Sequence, residues 1–306
     1  MNKTEMHPRN PHNKGYNFDE LATSYSPLKA FLVPKADGKH SIDFAQPEAV
    51  KALNAALLSH YYKVHFWDIP SGFLCPAVPG RADYIHYIAD LLKQSSSQSE
   101  SVIGLDIGTG ANLIYPIIAS QSYGWQMIGS DINPISFASA KAIAKSNKNL
   151  SKKINLRFQN EKSIFKGIIN DGEYFSFTMC NPPFHESAAA AMSGSRKKNK
   201  NLARHKHKRQ QGTEKNSSAI DKDKLNFGGQ QSELWCDGGE FRFVKQMIEE
   251  SVRFSQQVGW FTSLLSKKEN AQALLEIAKH AGATEQLAIQ MAQGAKASRF
   301  IAWRFS

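Results

Sequence analysis

The chain has 306 residues, of which 41% are hydrophobic. That is enough for one large domain or two modest ones and too much for a wholly disordered chain. It contains no run of about 18 apolar residues, its polar start MNKTEMHPRN has no apolar stretch of the secretory kind, and its three cysteines form no CxxC pair. A membrane span, a leader peptide, a disulfide framework and a zinc ribbon are therefore not expected, and the cysteine usage fits a reducing cytoplasm. Thirty-eight Lys+Arg against 27 Asp+Glu leave a net charge of +11, the balance of a protein that meets polyanions.

Residues 1–20 read as an irregular basic arm, with Lys3, Arg9 and Lys14 among His, Asn and Pro. Pro47 suits the first turn of a helix, and Val50, Leu53, Leu57, Leu58 and Tyr61 then recur at helical spacing. A second helix is predicted from near Pro79, with Tyr84, Ile85, Ile88, Leu91 and Leu92 on one stripe, ending in the polar linker Ser95–Ser101. Residues 1–95 are thus expected to form a small, mainly helical N-terminal module. From 102 to 306 the texture changes. Apolar runs at Val102–Asp106, Met127–Asp131, Ile154–Phe158 and Tyr174–Cys180 alternate with helical stretches, one of them opened by Asn133-Pro134 and running to about Asn147. That alternation predicts an α/β fold, a parallel sheet with helices on both faces.

The segment at about 186–232 interrupts the pattern with Ser, Ala, Lys, Asn and Gln, and reads as a mobile insertion that cannot bury enough apolar area to offset its ordering entropy. Between Arg196 and Lys224 it carries eleven basic residues against three acidic ones, eight of the net +11. Such a run is either a solvated face or a surface for a polyanion. Order resumes with a helix near 239–256, a strand near 258–264, a helix near 267–281 and closing strands around 285–291 and 299–305.

Three motifs carry chemistry. Asp106-Ile107-Gly108-Thr109-Gly110-Ala111 follows a buried-looking strand, and its glycines let the backbone approach a ligand at the carboxyl end of that strand. The third glycine of GxGxxG is missing and no GxxxxGK[ST] is present, which disfavours a dinucleotide site and excludes a P-loop. Asp131, 25 residues further on, closes the next strand, where a carboxylate can accept hydrogen bonds from ribose hydroxyls. Helix capping is its alternative role, for which Asn133 is better placed. Together these features resemble the S-adenosylmethionine-dependent methyltransferases.

The third motif, Asn181-Pro182-Pro183-Phe184, falls at the end of the fourth strand. An exocyclic amino group is a poor nucleophile because its lone pair is delocalised into the ring. Two acceptors, the Asn181 side-chain oxygen and the Pro182 carbonyl, draw the nitrogen toward sp³ and aim its lone pair at a methyl donor. The two prolines fix φ and preorganise those acceptors, and Phe184 offers a face to an unstacked base. The combination indicates an amino methyltransferase.

With Val78–His86, Leu105–Ala111, Cys180–Phe184, Gly238-Gly239-Glu240, Gln293-Gly294, Arg299 and Ala302-Trp303, the chain resembles the RlmF-type 23S rRNA adenine-N6 methyltransferases and their eukaryotic relatives, over nearly its whole length apart from the basic insertion. The resemblance implies a Rossmann-like class I methyltransferase sheet. It implies S-adenosylmethionine as cofactor, no metal, 23S rRNA as partner, and methyl transfer to N6 of one adenosine. It further implies that Arg81 pairs with the cofactor carboxylate, that Asp106, Gly108 and Gly110 line the cofactor, that Asp131 holds the ribose and that Ser163 borders the adenine. Asn181, Pro182, Pro183 and Phe184 would hold the target base. A cytoplasmic monomer is expected, with phosphate contacts from the arm and the insertion. His185 and the NPPF motif keep guanine N2 of rRNA as an alternative, and a glutamine amide of a protein is a more distant one.

Several residues keep two readings. Lys162 is either a phosphate contact or surface charge. Glu240 either supports the Asn181 loop or serves as a carboxylate at the start of its own helix. Lys296, Arg299 and Arg304 with Phe300 and Trp303 form a basic, aromatic RNA-facing edge, or else the two aromatics are core, which strand alternation favours. Cys180 reads as a small buried hydrophobe.

Overall fold

A computed structural model describes residues 5–94, 101–160, 162–184, 186, 235–293 and 296–306. The predicted linker, apart from Ser101, and the predicted insertion, apart from Glu186, lie outside the described residues. Among the described residues no helix is long and apolar enough to cross a membrane.

The first regular element is α1 (Phe18–Ser24), whose cap residue Asn17 accepts from the Asp19 and Glu20 N–H groups. A 3-10 turn (Ser26–Phe31) and a hairpin of β1 (Leu32–Pro34) and β2 (His40–Ile42) follow. Strands of three residues are too short to show an alternation, so no sequence pattern announces them. Helix α2 (Pro47–Tyr62) starts on Pro47 as predicted and ends where Lys63 turns left-handed at φ 57°. Helix α3 (Val78–Gln94) buries Tyr84, Ile85, Ile88 and Leu91.

Among the described residues the main sheet has seven strands. Strands β3 (Ile103–Ile107), β4 (Gln126–Asp131), β5 (Ile154–Phe158), β6 (Phe175–Cys180) and β7 (Val258–Leu265) are parallel to their neighbours among themselves. The last two, β8 (Glu285–Gln293) and β9 (Lys296–Arg304), form an antiparallel hairpin. Spatial order is β5-β4-β3-β6-β7-β9-β8, so β9 lies between β7 and β8 and runs antiparallel to both. Helices α4 (Ile114–Tyr123), α5 (Pro134–Ser146), α6 (Lys148–Ser151), α7 (Gly239–Ser251) and α8 (Lys268–His280) complete the described elements. Asn133 caps α5, accepting from Ile135 and Ser136 N–H, an interaction worth about 1 kcal/mol. The helix predicted for 239–256 stops earlier, at Ser251, and tightens into a 3-10 turn at Val252–Phe254. Ser251 Oγ donates to the Ile248 carbonyl and accepts from the Trp303 indole, so the hydroxyl competes with the helix at that point.

Two cores cover the sheet. On one, α2, α3, α4 and α5 pack against Phe177, Met179, Trp260 and Phe300. On the other, Val244, Met247 and Ile248 of α7 and Leu274 of α8 meet Leu105, Phe261, Ile301 and Trp303. Phe300 and Trp303 are both fully buried, as strand alternation predicts, and are not an RNA-facing edge. The first core is shared by residues before and after the predicted linker, and Tyr84 of α3 hydrogen bonds Thr262 of β7 at 2.7 Å.

The N-terminal arm is irregular but packed. His7 N–H (3.0 Å) and Asn10 Nδ2 (2.6 Å) both donate to Asp83 Oδ1, while Arg9 reaches Asp90 (2.7 Å) and Tyr123 Oη (2.9 Å). Arg9, predicted as a phosphate contact, thus spends its guanidinium on α3 and α4. Burial alone would raise the Asp90 carboxyl, but His7 and Arg9 together hold it below its ordinary range.

Candidate active site

Strands β3 and β6 are neighbours, yet the chain leaves β3 toward β4 and β5 on one side and leaves β6 toward β7 on the other. Connections diverging from adjacent strands open a crevice at their carboxyl ends, where ligands bind in open α/β sheets. A cavity of about 340 Å³ lies there, lined by residues of several regions. Gly108, Thr109 and Gly110 come from the turn after β3, and Asp131 and Ile132 close β4. Cys180, Asn181 and Pro183 come from the end of β6, and Arg81 enters from the start of α3.

Asp131 is held by the backbone around it. Its Oδ2 accepts from Gly110 N–H and its Oδ1 from Asn133 N–H, both at 2.8 Å. Burial raises this carboxyl, and the N–H groups of Asn133, Gly110 and Ile132 oppose the rise. The two bonds leave the carboxylate one orientation while it still lines the cavity, a state suited to accept further hydrogen bonds from a diol. Gly108 adopts φ +69°, a left-handed conformation that favours glycine, and a Cβ built on it would enter open space with nothing within 4 Å. The turn is therefore shaped for close approach rather than for packing.

Asp106 sits below this turn rather than in the wall. It is fully buried, and among the described residues neither carboxylate oxygen has a hydrogen-bond partner. Burial pushes its carboxyl up to about 8, helped by Asp131 and opposed by the nearby Thr109 hydroxyl and by Arg81. An unpaired buried carboxylate is costly unless it is neutral or answered by a cation or donor. With its carboxyl up at about 8, Asp106 takes the neutral option, and a cation bound above it would favour its ionised form.

Arg81 Nη1 donates to Tyr115 Oη (3.0 Å) and reaches Asn181 Oδ1 (3.5 Å), with the guanidinium over the Tyr115 ring. Among the described residues no carboxylate forms an ion pair with Arg81, which leaves a planar cationic fork at the cavity wall for a ligand's carboxylate. Asn181 is half-buried and opens into the same cavity. Pro182 is buried and Phe184 half-buried; neither lines the cavity. Cys180 is buried at the end of β6, and burial holds its thiol well above the usual range. Ser163 and the exposed Lys162 stand on the opposite wall, beside Ile164.

The structure thus brings Arg81, Gly108, Gly110, Asp131, Ser163, Asn181 and Pro183 to one cavity and places Asp106 beneath it. His185 lies outside the described residues. Leu74, Pro76, Ile114, Tyr115, Gln159, Phe243 and Gln246 also line the cavity. Of these only Phe243 left a trace in the sequence, as part of the apolar pattern of a helix. Leu74 and Pro76 belong to an irregular stretch stitched in place by side-chain amides: Asn112 Nδ2 donates to Leu74 O, and Asn54 Nδ2 to Pro76 O. Glu240 stands in the first turn of its own helix, as the helix-start reading has it. Its buried carboxylate also accepts from Ser266 N–H (2.5 Å), Lys267 N–H (3.3 Å) and Asn270 Nδ2 (2.9 Å), which ties the start of α7 to the start of α8.

A family model described as RNA methyltransferase matches residues 1–306. The ribosomal RNA large subunit methyltransferase F of Desulfotalea psychrophila is 51% identical over 305 residues, covering 98% of this chain and 95% of its own. That of Pseudoalteromonas atlantica is 50% identical over 305 residues, covering 98% and 92%. Among solved structures, the human METTL16 catalytic domain in complex with MAT2A 3′UTR hairpin 1 superposes with a TM-score of 0.79 at 28% identity, covering 99% of this chain and 96% of that one. The N-terminal domain of human METTL16 in complex with SAH gives 0.74 at 27%, covering 99% of each. The fold is that of a Rossmann-like class I methyltransferase, as expected from the sequence.

Proposed function

Because the chain belongs to this family of RNA methyltransferases, we propose that it methylates N6 of an adenosine in large-subunit ribosomal RNA, with S-adenosylmethionine as donor. The observation that carries this reading is that the Asp131 carboxylate and the Asn181 amide open into one cavity at the point where the strand order diverges. The printed names of the relatives support the substrate class, and the METTL16 structures with an RNA hairpin and with SAH support the ligand classes.

S-adenosylmethionine supplies a methyl carbon activated by a positively charged sulfur. The residues fit this group: Asp131 accepts from the ribose hydroxyls, Arg81 pairs with the carboxylate, Gly108 and Gly110 admit close approach, and Ser163 borders the adenine. Asp106, neutral and buried beneath the turn, would give up its proton more readily once a cationic ligand sits above it, and its charge would then answer that ligand. Asn181 Oδ1 and the Pro182 carbonyl accept the two hydrogens of the adenine amine, turning its lone pair toward the cavity. Phe184 stacks on the extruded base. No residue has to take the proton before transfer, since the product sheds it to water. The module at 1–95, the methyltransferase domain at 102–306 and the basic segment at about 186–232 would share the RNA, with the cytoplasm as the site of action.

The test is methylation of total rRNA from cells lacking the gene with labelled S-adenosylmethionine, followed by nucleoside mass spectrometry. N6-methyladenosine in the large-subunit RNA is expected; N2-methylguanosine would move the target to guanine, and no label in RNA would overturn the reading. Deleting residues 196–224 is expected to flatten the salt dependence of RNA binding, by about 0.7–0.9 in slope for each phosphate that is no longer neutralised.

A further inference from the structure

The wall formed by residues 162–166 is neither helix nor strand, yet its backbone is closely held. Glu250, in the last turn of α7, accepts from three successive N–H groups of that loop: Oε2 from Ile164 (2.8 Å), Oε1 from Phe165 (2.9 Å) and Lys166 (2.8 Å). One turn earlier on the same helix, Gln246 Nε2 donates to the Lys162 carbonyl (3.2 Å). From β5's end, Gln159 Nε2 donates to the carbonyls of Ser163 (2.9 Å) and Lys166 (3.0 Å). Lys162, Ser163 and Ile164 line the cavity, and Glu250 does not.

Apolar burial alone would keep this loop attached, because Ile164, Phe165, Ile168 and Ile169 are buried in the second core. Burial is non-directional, however, and sets no particular orientation of the peptide planes. The carboxylate does, through charge-assisted bonds that are shorter and about twice as strong as neutral ones. A wall displaced by about 0.5–1 Å forfeits a quarter to a half of its van der Waals attraction to a ligand.

We propose that Glu250 is a positioning residue that fixes the 162–166 wall and thereby sets the affinity for the adenosyl half of the cofactor. This rests on reading the cavity as the S-adenosylmethionine site. Glu250 stays out of the cavity lining and acts through the backbone of the 164–166 loop alone, so its effect falls on cofactor binding and not on the rate of transfer from the saturated complex. Substitution by glutamine keeps the size of the side chain but removes its charge. Its amide nitrogen then faces an N–H, or one acceptor must serve all three donors.

The experiment uses the full chain with Glu250→Gln, Glu250→Ala and, as a control on the exposed neighbour, Glu249→Gln. KM for S-adenosylmethionine is expected to rise about tenfold in Glu250→Gln and further in Glu250→Ala, the effect of removing one to two charged hydrogen bonds. The kcat on rRNA at saturating cofactor stays at the wild-type level. Calorimetry with S-adenosylhomocysteine shows the same weakening, and the amides of Ile164, Phe165 and Lys166 exchange hydrogen faster. Glu249→Gln changes none of these. Should Glu250→Ala fail to fold, the near-isosteric Glu250→Gln decides. An unchanged KM in Glu250→Gln, or a fall in kcat with KM unchanged, overturns the assignment. A wild-type protein that binds no S-adenosylhomocysteine overturns the cofactor reading itself, which is a separate result.

Discussion

The two halves of the cavity are built to different standards. On the Asp131 side every wall is tied to backbone: two N–H groups hold the carboxylate, and Glu250, Gln246 and Gln159 together hold the 162–166 loop. On the Asn181 side the ties found among the described residues run from side chains. Arg81 stands 3.5 Å from Asn181 Oδ1, Cys236 Sγ lies 4.0 Å from the Pro183 carbonyl, and an exposed ion pair joins Glu186 to Lys267 at 2.9 Å. The first half is preorganised for a small ligand that arrives alone. On the proposed reading the second is completed by its substrate, as a site for an extruded base must be if base and flanking strand enter together.

The largest expected effect breaks the comparison if it crosses from one half to the other. Asn181→Ala should slow methyl transfer by about a hundredfold or more while S-adenosylhomocysteine binds as in the wild type; a matching drop in affinity by calorimetry would mean that the halves are not independent. Asp131→Ala should do the reverse. Cofactor affinity should fall by about ten- to a hundredfold as its charge-assisted hydrogen bonds disappear, and rRNA binding measured without cofactor should be untouched.

The third effect concerns stability. Asp106 keeps its proton up to about pH 8 when folded and loses it near 3.8 when unfolded. Over that window the folded chain binds the extra proton, so the apoprotein should lose stability as pH rises from about 4 to about 8, at up to ~1.4 kcal/mol per pH unit. Asp106→Asn should flatten this slope in pH-dependent denaturant melts; an unchanged slope would assign the titration elsewhere. Smallest of all, Lys267→Ala removes a solvent-exposed pair worth about 0–1 kcal/mol and should change turnover by no more than a few fold. A much larger fall would show that the Asn181 loop depends on that tether.

How much of this was legible in the sequence follows from the reach of each interaction. Asn133 capping α5, Pro47 opening α2 and the Gly108 turn beside Asp131 are short-range effects, and residue type with spacing announced them. The burial of Phe300 and Trp303 followed from alternation along one strand. Interactions between distant residues left no such mark. Glu250 meets residues 84 to 86 positions away. Glu240 turns to the start of α8, a helix not its own, because a buried carboxylate goes to whichever unpaired N–H groups the fold brings near it. The arm read only as irregular and basic because basic residues among Asn and Pro carry no periodicity. That Asp83 and Asp90 on α3 would receive His7, Arg9 and Asn10 depends on packing that no local pattern encodes.

The position of β9 has a consequence for how the chain is made. A strand wedged between two others, paired along Phe261–Leu265 on one flank and Glu285–Gln293 on the other, leaves β8 and the outer edge of β7 unpaired until residue 304 has emerged during synthesis. The hairpin with β8 can form as soon as its own residues appear, but joining it to the rest of the sheet is a late, long-range step, the kind that slows folding and exposes unpaired edges meanwhile. Shortening the chain by one turn's worth of residues at that end would therefore cost far more than trimming a flanking strand.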